Sequence, residues 1–165
     1  LRLTAEPIAM QVDRYERIFL YTASVVLAIF FAGVLLSVTE AGIHIPTKED
    51  IIDPSAVATT APFDDPGLFM TGPNQFDAVI VAEAWAYTPN EIVVPKGAEV
   101  RFIVTSVDVI HGFMIPQTTV NAMLIPGQVT EVSYTFDDAE EHNILCHEFC
   151  GIGHHTMFAK VVVEG

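Results

Sequence analysis

The stretch IFLYTASVVLAIFFAGVLLSV, Ile18 to Val38, carries no charged side chain over 21 residues. Nothing else in the chain limits its fold as strongly. A helix of that length spans the roughly 30 Å hydrocarbon core of a bilayer at about 1.5 Å per residue. A cleaved signal peptide and a buried core helix are the competing readings. A signal sequence has an apolar region of about 7–15 residues and ends at a small-residue cleavage site. This run is longer, and Gly33 and Ser37 alone do not make such a site. The sequence therefore predicts one retained transmembrane helix over 18–38, with Tyr15 and Tyr21 at headgroup level.

The flanks of that run set an expected orientation. Arg2, Arg14 and Arg17 precede it, whereas the near flank behind it has Lys48 against Glu40, Glu49, Asp50 and Asp53. The positive-inside rule places residues 1–17, a short amphipathic lead-in, in the cytoplasm. Everything after Val38 then lies on the outer, periplasmic or extracellular, face of the cell membrane. Positive and negative side chains balance in 1–17, so the remainder carries the whole net charge of −14. An outer domain so acidic argues against nucleic acid as a partner and suits a basic partner or a salty medium. A merely solvated surface fits it equally well.

Residues 39–75 read as a linker. Prolines at 46, 54, 62, 66 and 73 interrupt any sustained period, so irregular or partly helical structure lying over a neighbour is expected there. From residue 76 to 165 the texture changes to short runs rich in β-formers, separated by turn residues: DAVIVAEAWAY, EIVVP, AEVRFIVTS, QVTEVSYTF, HNILC and MFAKVVVEG. AEVRFIVTS alternates, with Val100, Phe102 and Val104 on one face. This spacing predicts a mainly β sandwich or barrel. No Gly-rich phosphate loop, nucleophile elbow or zinc-protease helix occurs, and no internal repeat.

The chemistry concentrates in CHEFCGIGHHTM, residues 146–157. It holds both cysteines of the chain, and Cys146, Cys150, His154 and Met157 fall at offsets 0, 4, 8 and 11. His111, followed by Gly112, lies upstream just after the predicted strand AEVRFIVTS. A Cys146–Cys150 disulfide suits an outer compartment, but it closes a very small loop and leaves the histidine and methionine spacing unexplained. Structural zinc takes four Cys or His ligands and no methionine. A single-copper electron carrier takes one Cys, two His and a weak axial Met. Two thiolates, two imidazoles and a thioether exceed what one tetrahedral metal needs, whereas two coppers bridged by two thiolates would use them all.

The pattern Cys-x3-Cys-x3-His-x2-Met with a His 35 residues upstream resembles the binuclear copper (CuA) centre of cytochrome c oxidase subunit II. The resemblance extends through PNEIVVPKGAEVRFIVTSVDVIHGF, PGQVTEVSYTF and NILCHEFCGIGHHTMFAKVVV. It implies a cupredoxin-like Greek-key β-sandwich over 76–165, preceded by the one transmembrane α-helix. It further implies two copper ions held by His111, Cys146, the backbone carbonyl of Glu148, Cys150, His154 and Met157. The single membrane span resembles the B-type haem–copper oxidases. Haem would sit only in a large partner subunit I, where oxygen is reduced to water, and the donor would be cytochrome c or a small copper protein. The chain would thus be a non-catalytic, electron-accepting subunit of an oxidoreductase. An aromatic near the copper site is where electrons enter in this family, which here points to Trp85 or Tyr87. The plain alternative for both is core packing.

Rival readings are a nitric oxide reductase subunit with the same copper domain and a membrane-tethered single-copper carrier or copper chaperone. Cys150 argues against a single copper. Nitrous oxide reductase carries this centre on a much larger chain, and quinol oxidase subunits lack the ligands. Magnesium on the Glu148 side chain, found in related oxidases, is weakened by the B-type resemblance. Asp108 is expected to orient a ligand or to line a subunit contact. His147 and His155 are expected beside the ligands rather than among them, and His44 and His142 in solvent.

Overall fold

The computed structural model describes residues 13–40 and 51–165. Arg2 of the expected cytoplasmic segment and His44 and Lys48 of the expected linker lie outside the described residues. The chain divides into two units, Leu1–Ala41 and Gly42–Gly165.

The first unit contains helix α1, Arg14–Glu40. Asp13 starts it: its carboxylate accepts the Tyr15 amide at 2.8 Å and its carbonyl accepts the Arg17 amide at 2.9 Å. A side-chain oxygen in that position satisfies one of the free donors of the first turn. The Thr22 and Thr39 hydroxyls donate to the Ile18 and Leu36 carbonyls, each at 2.8 Å. Their polar groups are thereby satisfied within the helix, as hydrocarbon surroundings require. The helix is long and apolar enough to cross a membrane and fits a membrane anchor.

Among its described residues the second unit has ten strands: β1 (Gly67–Gly72), β2 (Gln75–Glu83), β3 (Ala86–Thr88), β4 (Glu91–Pro95), β5 (Ala98–Ser106), β6 (His111–Met114), β7 (Asn121–Leu124), β8 (Thr130–Phe136), β9 (Glu141–Leu145) and β10 (Phe158–Glu164). One sheet has the order β1-β2-β5-β8, with β3 paired to β2; the other has the order β4-β10-β9-β6-β7. The pairs β2–β5 and β4–β10 are parallel. This is the mainly β sandwich that the sequence predicts.

Period-2 alternation decides what each strand buries. On β5, Val100, Phe102 and Val104 are fully buried and meet Phe113, Phe136, Ile144 and Val161 between the sheets. Phe102 packs edge-on against Phe113 and Phe136, with centroids 5.4 and 6.3 Å apart. Arg101 and Ile103 point the other way. Arg101 there pairs with Asp77 at 2.6 Å, and Ile103 belongs to a second apolar cluster.

That second cluster changes the reading of the linker. From Ile51 onward the expected linker is part of the sandwich. Ile51 bridges to Gln128, and Asp53 caps a 3-10 helix, Pro54–Thr59. Val57 and Phe63 bury themselves against Val79 and Ile103, while β1 adds a strand to β2. The expected domain start at 76 falls within β2. The prolines hide this segment from periodicity because its partners are distant in sequence. The run DAVIVAEAWAY, read as one strand, breaks into β2 and β3 at Ala84 and Trp85.

Candidate metal centre

Strand β9 ends beside Cys146, and β10 begins just after Met157. A 3-10 turn, His154–Thr156, sits in the intervening loop. The Cys146 amide donates to the Met157 carbonyl at 3.4 Å, closing the loop at its base. His111 opens β6, which meets β9 through Met114 and Leu145. Strands of one sheet thus carry both halves of the site, and a loop fixed at both ends holds its side chains in place.

The geometry brings the sulfur atoms together. Cys146 Sγ and Cys150 Sγ are 3.8 Å apart, well beyond the roughly 2.05 Å of a disulfide bond, and both cysteines are free. Cys150 Sγ lies 3.5 Å from His154 Nδ1 and 3.7 Å from Met157 Sδ. The Cys146 thiol donates to the Glu148 carbonyl at 3.2 Å. A ring nitrogen of His111 and the two Sγ atoms lie within 4.8 Å of one another. The six expected atoms are therefore drawn into one cluster, His111 from β6 and the rest from the loop.

His111 is fully buried. Its Nε2 is bonded to Asp108 Oδ1 at 2.9 Å, whereas its Nδ1 has no hydrogen-bond partner. A buried polar atom without a partner costs about 1–3 kcal/mol. Paired with two free thiols, it marks a set of donors arranged for a metal ion. Soft sulfur with imidazole suits copper or zinc rather than magnesium or calcium, so the donor set fits copper. Burial, followed by the hydrogen bond with Cys146, pushes the Cys150 thiol up to about 11. Metal uptake must therefore release the Cys150 thiol proton.

Asp108 holds the outer side of His111. Burial would raise its carboxyl, but hydrogen bonds from His111, Val109 and Ala84 outweigh burial and keep it below the ordinary carboxylate value. The Ala84 amide reaches Asp108 Oδ2 at 2.7 Å, which ties the β2–β3 turn to the ligand strand. A hydrogen-bonded carboxylate behind an imidazole fixes its ring orientation.

Trp85 and Tyr87 approach the site by different routes. Trp85 occupies the β2–β3 turn, is 41% exposed, and donates from Nε1 to the Cys150 carbonyl at 3.1 Å. Tyr87 in β3 is 1% exposed, and its hydroxyl donates to the Gly112 carbonyl. Burial first, and then the charge of nearby Cys146, push its phenol well above the ordinary value. It therefore stays a neutral donor.

Two glycines of CGIGHH were not singled out from sequence. A Cβ on Gly153 would stand 2.6 Å from Trp85 Cε3, and Gly151, at φ +119°, lies under the same ring. The Gly-x-Gly spacing after Cys150 was the available signal. His147 packs its backbone over Gly112 and brings Nδ1 to 3.7 Å from Glu148 Oε1. His155 is exposed. His142, expected in solvent, instead lies against the Phe136 ring at a centroid distance of 5.0 Å.

Comparison with known proteins bears on the same residues. The family described as cytochrome c oxidase subunit II, periplasmic domain, matches residues 75–165. Cytochrome c oxidase subunit 2 of Thermus thermophilus is 40% identical over 154 residues, covering 91% of this chain and 92% of the relative. A chain in the cryo-EM structure of a heme-copper terminal oxidase dimer superposes with a TM-score of 0.74 at 32% identity. It covers 92% of this chain and 100% of that one. The periplasmic domain of subunit II of cytochrome oxidase from Bradyrhizobium japonicum shares the fold, with a TM-score of 0.50 at 24% identity over 53% of this chain and 83% of that one.

Proposed function

The chain belongs to the cytochrome c oxidase subunit II family, and on that premise we propose that it is the electron-accepting subunit of a terminal haem–copper oxidase. Electrons arrive singly from cytochrome c or a small copper protein and leave to haem in the large subunit I, where oxygen is reduced to water. The chain itself holds no oxygen-reducing site in this reading. Helix α1 crosses the cell membrane with its N-terminus in the cytoplasm and the sandwich on the outer face. The arginines at the start of the helix, against the single Lys48 in the near flank beyond it, support that orientation.

Two copper ions would be held by Cys146 and Cys150 through their sulfur atoms and by His111 and His154 through their imidazoles. Met157 and the Glu148 carbonyl complete the set as weak ligands. Such a pair supplies one-electron storage with little rearrangement, because the charge change is shared between two ions. The remaining chemistry belongs to the chain. Asp108 orients His111. Cys150 and Met157, nearly buried, exclude water from the sulfur cluster. Trp85 presents an exposed ring and reaches Cys150 through one hydrogen bond, which makes it the preferred point for electrons to enter.

The observation that carries this reading is the buried, unpartnered Nδ1 of His111 beside two free thiols 3.8 Å apart. The test is metal analysis and electron paramagnetic resonance on the copper-loaded full chain. Two coppers per chain with a mixed-valence spectrum are expected. One copper with a four-line spectrum would sink the proposal. Identifying the co-purifying large subunit and the gas it consumes separates oxygen from nitric oxide chemistry.

A further inference from the structure

Gly112, the residue after His111, is constrained from three sides. From the first sheet, the Tyr87 hydroxyl donates to the Gly112 carbonyl. From the loop, Cys146 Sγ accepts the Gly112 amide at 3.4 Å. From above, His147 packs so closely that a Cβ on residue 112 would collide with its amide and stand 2.7 Å from its ring Cγ. Tyr87 is held in turn by Phe113, whose ring meets it edge-on at 5.8 Å. Its strand, β3, has three residues and pairs with β2 through Val81, Ala82 and Glu83. Tyr87 therefore ties the first sheet to the strand of the second sheet that carries His111.

We propose that Tyr87 is a positioning residue, whose hydroxyl holds Gly112 by its carbonyl while Cys146 holds its amide, and thereby fixes the separation of His111 from Cys146. It does not accept electrons from a donor, because at 1% exposure it offers no surface for one. Trp85, on the other flank, does. The proposal rests on the reading of His111 and Cys146 as copper ligands. It adds that their spacing is set across the sandwich, and not by the CHEFCGIGHHTM loop alone. Gly112 follows from the same arrangement. Its carbonyl and amide are both engaged, and the space of a side chain is taken by His147.

The test compares Tyr87→Phe with the unmodified full chain and with Phe136→Leu, a core change that leaves the Gly112 contacts alone. In the copper-loaded chain, Tyr87→Phe is expected to keep two coppers but to alter the hyperfine pattern and the midpoint potential. In the metal-free chain, its Gly112 amide keeps the Cys146 acceptor but should exchange roughly fivefold faster, because one hydrogen bond fewer, that to the Gly112 carbonyl, opposes opening of the residue. Phe136→Leu should lower thermal stability and change none of these. A wild-type spectrum, potential and Gly112 exchange in Tyr87→Phe would overturn the proposal, as would the same shifts in Phe136→Leu. A further measurement needs no variant. NMR of the unmodified metal-free chain should show a slowly exchanging Tyr87 hydroxyl proton near the Gly112 carbonyl. A hydroxyl in fast exchange refutes the proposal even where Tyr87→Phe does not fold. One copper in the unmodified chain would instead overturn the ligand reading, so the two failures are distinguishable.

Discussion

Phe102 and Ile103 are consecutive on β5, yet they belong to different cores. Phe102 lies in the cluster between the sheets, which runs on into Cys150 and Met157 and has Cys146 packed against it. Ile103 lies in a smaller cluster on the outer face of the first sheet, closed over by Ile52, Val57 and Phe63 of the proline-rich segment. The metal centre is thus the end of the main core and inherits its packing. The strap of residues 51–66 covers a face of the same sheet without touching the sulfur atoms. The comparison assigns the two clusters different work: one positions the sulfur donors, the other seals a sheet surface.

The largest effect should come at the end of the main core. Cys150→Ser is expected to abolish the paired-metal signature, since Cys150 Sγ contacts Cys146, His154 and Met157 at once. Copper analysis with paramagnetic resonance reads the loss, and a surviving mixed-valence spectrum would show the ligand assignment to be wrong. Next, Phe102→Ala in the middle of that core should cost about 4 kcal/mol, the usual range for emptying a buried aromatic site. It should also broaden the metal signature, because the cavity opens beside Phe113 and hence beside Tyr87. Phe63→Ala in the strap is expected to cost about 3 kcal/mol and to leave the metal signature unchanged. Denaturant midpoints and spectra taken on both variants test the separation. A strap variant that disturbs the spectrum as much as Phe102→Ala does would join the two cores into one.

These regions were unequally legible in the sequence. The clustering of donor side chains was readable because soft donors at fixed offsets are rare by chance. The buried face of β5 was readable because Val100, Phe102 and Val104 alternate cleanly. Short strands were not readable: β6 and β7 have four residues each, and their identity comes from pairing with each other and with β9 rather than from propensity. The strap was expected as irregular or partly helical structure over a neighbour, but its core residues were hidden for a related reason. Val57 and Phe63 stand six apart among prolines, so the pattern marking them as core exists only once Val79 and Ile103 are brought opposite. Trp85 and Tyr87 were separated by a turn that β-propensity ignored, although Gly151 and Gly153 signalled a large ring nearby.

The smallest expected effect tests whether the strap has its own latch. Asp53 Oδ1 accepts the Ser55 hydroxyl at 2.7 Å and the Ser55 amide at 2.9 Å. The hydroxyl, then the amide, hold its carboxyl below the ordinary value. Because the folded-state value is depressed, the stabilisation is present above the unfolded value of about 3.9 and is lost as pH falls through the folded value. Asp53→Asn keeps an acceptor without the charge. Urea midpoints of the two chains should therefore differ by a small, constant gap at neutral pH, and the gap should close as pH drops below the unfolded value. The metal signature should be the same in both at neutral pH. A gap that persists to strongly acid pH would mean that shape, and not charge, holds the 3-10 turn. A gap accompanied by a changed metal spectrum would mean that the strap reaches the sulfur cluster after all.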